Sequence, residues 1–218
     1  MEPITASSTP SRPEEELQYI RKIIADSRAR FAQSGEPYII WGLIIAIGMG
    51  LSYLSLILRH DLYTGYIWPA LILFGWGSMI YLYRKRRKEE PRAKSIIERI
   101  DSAIWGTCGG TLGLGLILIL DQSNLSGGNV PPIYPLYTCF FASMILGIAY
   151  YLTGVVNDLR WLRNIGFAWW AGAIVMYLWP TVHVLGIYAG MLILFQVIPG
   201  IILQRRYRRI VASSSMEA

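Results

Sequence analysis

Six stretches of about twenty residues each contain no Asp, Glu, Lys, Arg or His, and this absence constrains the chain more than any motif does. They run Tyr38–Leu58, Thr64–Tyr83, Ser102–Leu120, Ile133–Val156, Ile165–Val182 and Val184–Leu203. At about 1.5 Å of rise per residue, a helix of that length crosses a hydrocarbon layer of about 30 Å. Lipid offers the backbone no hydrogen-bond partners, so each stretch must satisfy its own peptide groups, which a helix does. The expected fold is therefore an all-α integral membrane protein with six transmembrane helices. Composition agrees: 54% of residues are hydrophobic and only 16% charged, against about 25% charged in soluble domains. A soluble enzyme, a secreted disulfide scaffold and a disordered chain are excluded.

The net charge of +6 suggests nucleic acid until the charges are placed. Of the 20 Lys and Arg, 19 lie before the first stretch, between the second and third, between the fourth and fifth, or after the sixth; only Arg59 lies on the opposite side. That asymmetry predicts both termini in the cytoplasm, and a bacterial inner membrane is the expected location. Two clusters directly follow apolar stretches: Arg84, Lys85, Arg86, Arg87 and Lys88, then Arg205, Arg206, Arg208 and Arg209. They are read as contacts to anionic lipid headgroups. No nucleic-acid partner is expected, because no aromatic-interleaved binding fold accompanies the charge.

Before the first stretch, residues 1–12 are polar and expected to be disordered, with no cleavable signal, so the first span serves as the insertion signal. Residues 13–36 read as an amphipathic cytosolic helix. Pro13 and Glu14–Glu16 suit its N-terminus, Leu17, Ile20, Ile24, Ser27 and Phe31 form a stripe, and Gly35 and Pro37 supply the stop. Residues 37–204 form the bundle, and residues 205–218 a basic, disordered tail. A shorter amphipathic stretch, Pro91–Asp101, leads into the third span.

Trp41, Trp105 and Trp169 stand 64 residues apart, and Ile-Trp-Gly recurs at the first two. Ala70–Phe74 and Met191–Phe195 precede the two basic clusters at similar distances, which suggests three tandem helical hairpins. Small residues four apart allow close helix approach: Gly42, Ala46 and Gly50; Gly106 and Gly110; Gly109 and Gly113; Gly186 and Gly190. With five glycines, the third span is expected to be the most central helix, although such faces serve oligomer contacts equally well. Cys108 and Cys139 differ in depth by about 10 Å and are read as unpaired packing residues.

The chemistry available is mild. Charge-free spans argue against a proton-relay pump, a retinal protein and an enzyme, and no cofactor or metal site is implied; His60 and His183 are read as polar loop residues. Gln196 is the costliest intramembrane group, and Pro199 lacks the N–H that would pair with the Phe195 carbonyl. Together with Ser78, Thr107 and Thr111 it defines a candidate ligand pocket in the inner half of the bundle, weighed against a purely structural hydrogen bond. Tyr53, Tyr63, Tyr66, Trp68, Tyr134, Tyr137, Trp179 and Tyr188 read mostly as the outer interfacial belt.

The segment Glu15–Leu54, EELQYIRKIIADSRARFAQSGEPYIIWGLIIAIGMGLSYL, resembles small bacterial inner-membrane proteins of unassigned function in which an amphipathic cytosolic helix turns into the first of several spans. The resemblance covers about a fifth of the chain and implies no functional residues. Two function classes are open: a non-enzymatic membrane interaction or regulatory subunit that binds lipid, a membrane partner or a second copy, and a small transporter or channel for a neutral or weakly polar solute.

Overall fold

The computed structural model describes Leu17 and residues 35–58, 64–89, 96–125 and 133–214, and their regular structure is entirely helical. The helices are α1 (Gly35–Leu58), α2 (Thr64–Glu89), α3 (Ile96–Leu125), α4 (Ile133–Val156), α5 (Arg160–Leu178), α6 (His183–Leu192) and α7 (Ile198–Ser214). A π-helical turn, Ile193–Val197, joins the last two into one rod. Three helical segments are long and apolar enough to cross a membrane: Gly35–Leu58, Tyr137–Val156 and His183–Arg209. Six such crossings are thus not supported on length and apolarity among the described residues. In α2, Tyr, Trp, Gly and Pro dilute the apolar run, and α5 is only 19 residues long and opens on Arg160 and Arg163.

Helix ends follow local chemistry. Gly35 opens α1, and Pro37 sits in its first turn, where a missing N–H costs nothing. The expected helix over residues 13–36 otherwise lies outside the described residues, except for Leu17, which is helical and exposed. Helix α5 stops at Leu178, short of the expected Val182, because Trp179 precedes Pro180 and adopts φ −125°. The α4–α5 turn is closed by bonds from Asp158 N–H to the Val155 carbonyl (3.2 Å) and from Leu159 N–H to the Gly154 carbonyl (2.8 Å). Asp158 supplies the left-handed residue this cap requires, at φ 55°. At the C-terminus, the basic segment from Arg205 continues α7 as far as Ser214, where disorder was expected.

Glycine sets how closely the helices approach. A Cβ at Gly35 would meet the Gly200 carbonyl and the Gln204 amide, so α1 and α7 cross backbone to backbone. Farther along, Gly42 lies against Val197 and Gln196, and Tyr53 Oη reaches His183 Nδ1 at 2.9 Å. A second tight pair is α4–α5. A Cβ at Gly166 would lie 2.8 Å from the Gly147 carbonyl, and the Trp170 indole covers Gly147 while donating to the Met144 carbonyl at 3.1 Å. Helix α2 docks on α1 through Gly48 against Trp68 and Gly75 against Trp41.

The core is an aromatic spine shared by α1, α4, α5 and the α6–α7 rod. Tyr150 and Trp169 are fully buried and stack at 6.4 Å, and Trp169 continues to Tyr188 (5.9 Å) and Phe195 (6.0 Å). Such pairs add about 0.5–1.5 kcal/mol each beyond their buried area. Tyr188 is therefore a core residue and not part of an outer belt. Trp179, in contrast, is exposed, and Trp68 bonds Ser52 at 3.2 Å. Both cysteines are free, and Cys139 is fully buried as packing.

The expectation that the third span is central is overturned. Gly106, Gly109, Gly110, Gly113 and Gly115 of α3 have nothing within reach of an added Cβ, and Leu114, Ile117 and Leu118 are exposed. Small side chains make a helix able to pack closely, but they do not specify where a partner will be. Replacing Gly35 or Gly200 with Ala should lower stability by about 1–3 kcal/mol, because backbone atoms cannot yield. Gly50→Ala, which enters open space, should cost nothing measurable by the same thermal-unfolding assay.

Candidate functional site

The most concentrated polar chemistry lies where the basic ends of α1, α3 and α4 meet. Asp101 is 8% exposed, although it lies one residue before the third charge-free stretch. Thr153, fully buried on α4, donates to Asp101 Oδ1 at 3.1 Å and accepts from Trp105 Nε1 at 3.1 Å. Asp101 and Trp105 are four residues apart on one face of α3, so a single hydroxyl on α4 engages both. Just past the end of α4, Asn157 Nδ2 donates to the Thr153 carbonyl at 2.9 Å.

Aromatic rings close this cluster. Tyr38 meets Trp105 edge-on at 4.8 Å and Tyr150 at 5.8 Å, and Trp105 meets Tyr150 at 5.3 Å. Three buried oxygens here have no hydrogen-bond partner: Tyr38 Oη, Tyr150 Oη and Asn157 Oδ1. Burial pushes the Asp101 carboxyl up to about 6, with the Thr153 hydrogen bond pulling the other way. A carboxylate held among rings in this way is a site where charge is expensive and a bound proton stabilises.

The residues expected to form a polar pocket are placed differently from one another. Gln196 is buried inside the π-helical turn, its side chain against Gly42 and its Oε1 without a partner. Pro199 lacks a donor, and the Ile198 N–H reaches back five residues to the Ile193 carbonyl. Thr107 and Thr111 face outward on α3, and the Thr111 hydroxyl donates to the Thr107 carbonyl at 2.9 Å. Ser78 donates to the Phe74 carbonyl of its own helix at 2.8 Å. Only Gln196 is buried, so these four residues line no common buried pocket.

In the basic clusters, Arg84, Lys85, Arg205, Arg206, Arg208 and Arg209 are exposed, and the side chains of Arg86, Arg87 and Lys88 lie outside the described set. Arg206 also packs its guanidinium over Trp161 at 5.6 Å. No group of three or more His, Cys, Asp or Glu suited to a metal occurs among the described residues, and His60 falls outside them.

Asp101, Thr153 and Asn157 escaped the sequence reading because charges were sought inside the apolar stretches and Asp101 stands just outside one. The usable signal was the pair Asp101 and Trp105 at helical spacing, facing a Thr153–Asn157 pair at the same spacing. Comparison with known proteins finds no matching family, no matching curated protein and no matching solved structure.

Thr153→Val should leave both the carboxylate and the Trp105 N–H without a partner, at about 1–3 kcal/mol for each group. Thr153→Ser should retain most of the stability. Denaturation of the two reconstituted variants separates hydrogen bonding from packing.

Proposed function

We propose that the chain is a non-enzymatic integral membrane subunit whose action is to dock a further transmembrane helix, from a membrane partner or a second copy, against α3. In this reading all six charge-free stretches cross the membrane as three hairpins, both termini face the cytoplasm, and the setting is a bacterial inner membrane. The chain then belongs with the uncharacterised inner-membrane proteins that its segment Glu15–Leu54, about a fifth of the chain, resembles. Arg84–Lys88 and Arg205–Arg209 hold anionic headgroups at the cytoplasmic surface, and no cofactor takes part.

The observation that carries the reading is a contrast among glycines. Those of α1, α4, α5 and α7 at Gly35, Gly42, Gly147, Gly166 and Gly200 are closed by neighbours, while all five of α3 face open space. In lipid, helices associate through close packing at small residues more than through any hydrophobic gain, so an open face of this kind is suited to another helix. Exposed Leu114, Ile117 and Leu118 flank it, and that degree of apolar exposure suits lipid or protein and not water.

Native mass spectrometry of the gently extracted protein should show a stoichiometric second chain, lost in Gly106→Leu/Gly110→Leu while the helical circular dichroism is unchanged. A strictly monomeric species that conducts solute would overturn the proposal. The second reading, transport of a neutral or weakly polar solute, is favoured by the unpartnered Gln196 oxygen at the π-helical turn, a local geometry frequent at functional sites. Its test is solute flux in proteoliposomes, which Gln196→Leu should abolish.

A further inference from the structure

A buried carboxylate normally has a cation or several donors around it. Asp101 has one donor, the Thr153 hydroxyl, and forms no ion pair among the described residues. The groups that face it are oxygens of versatile role. Tyr38, from α1, lies within electrostatic reach of both Asp101 and Tyr150, and its hydroxyl sits beside Thr153 and Trp105 without a well-formed hydrogen bond. The Tyr150 hydroxyl of α4 and Asn157 Oδ1, just past its end, have no partner among the described residues. A phenol can donate to a carboxylate or accept from a carboxylic acid, so the pocket can serve either protonation state.

Other charged groups nearby are engaged elsewhere or face outward. On α3 itself, Arg99 is exposed and Glu98 only partly buried. Glu36 at the start of α1 accepts from Gln204 at 3.1 Å. On α5, the Arg163 stem packs against Gly154; on α7, Arg206 lies over Trp161. Among the described residues, burial raises the Asp101 carboxyl and the Thr153 hydrogen bond opposes it.

The position of this carboxyl matters for α3 as a whole. Helix α3 meets the bundle chiefly through α4, and two side-chain hydrogen bonds between them, from Trp105 and to Asp101, share one atom, Thr153 Oγ1. Beyond Trp105, Leu112 packs against the core, while the glycines meet none of the described residues. An ionised Asp101 is drawn toward water at the basic end of the bundle, and that pull acts directly on the latch.

We propose that Asp101 is a proton-binding site whose neutral form lets α3 stay seated against α4, and that ionisation draws the carboxylate toward water against the Thr153 bond, so that loss of the proton loosens α3. Burial, which favours the neutral acid, places the transition close to neutrality, with a midpoint at about 6. The site does not depend on α3 having a partner, and it holds for either function class.

The test uses the full chain in lipid nanodiscs. Infrared difference spectra across a pH titration should show a buried carboxylic-acid carbonyl band with a midpoint at about 6, absent in Asp101→Asn. In parallel, spin labels at Leu118→Cys and Phe141→Cys, with Cys108 and Cys139 replaced by Ala, report the α3–α4 distance. At about pH 5 the distribution should be narrow, and at about pH 8 broader or longer. Asp101→Asn should stay narrow at both, because its amide oxygen still accepts from Thr153. A band that persists in Asp101→Asn, or one that titrates near the ordinary value of 3.8, would overturn the proton site. A band that titrates as expected while the wild-type distance stays constant would overturn the latch. The wild-type titration and distance decide both points even where the variant fails to fold.

Discussion

Backbone-to-backbone contact at glycine is the constraint on which the rest of this structure depends. Where Gly35 meets Gly200 and Gly166 meets Gly147, there is no room for a methyl group. In lipid, apolar surfaces gain little by leaving one apolar environment for another, and dispersion between closely fitted helices does more of the work. Those two crossings align α1 with the α6–α7 rod and α4 with α5. The aromatic spine from Tyr38 through Tyr150 and Trp169 to Tyr188 then fills the space among them.

With that framework in place, the two remaining helices are held by few points. Helix α2 rests on α1 through indoles set over glycines. Helix α3 is fastened to α4 at one end by Asp101, Trp105 and Thr153 and leaves its glycine face open. Helix α3 touches the core through Trp105 and Leu112, while its glycines meet none of the described residues. The open face and the proton site thus concern the same element, through different physics: close packing for one, the cost of buried charge for the other.

Much of the helical layout was legible in the sequence because it follows from local rules. Charge-free runs mark helices, and Pro199 removes a donor beside Phe195. Gln196 was legible as a burdened polar group for the same reason. The expected end at Val182 overran the stop of α5 before Pro180, and the π-helical turn was not foreseen. The third-span glycines misled because composition reports a capacity for packing and not its realisation. Tyr188 misled because a tyrosine near the end of an apolar run looks the same whether it faces an interface or Trp169. Asp101 was passed over because the residues that meet it, Tyr38 on α1 and Thr153 on α4, are far from it in the chain.

The sequence by itself determined helicity, the location of the charges at one end, and the positions where helices bend or stop, since all three are set by residues within a few positions of one another. The tertiary structure alone decided which glycines are filled, which aromatic rings share a core, and that a carboxylate at a helix edge is enclosed with no ion pair among the described residues. Those outcomes depend on which helix lies beside which, and helices of similar apolar content leave that choice to close packing across the whole bundle.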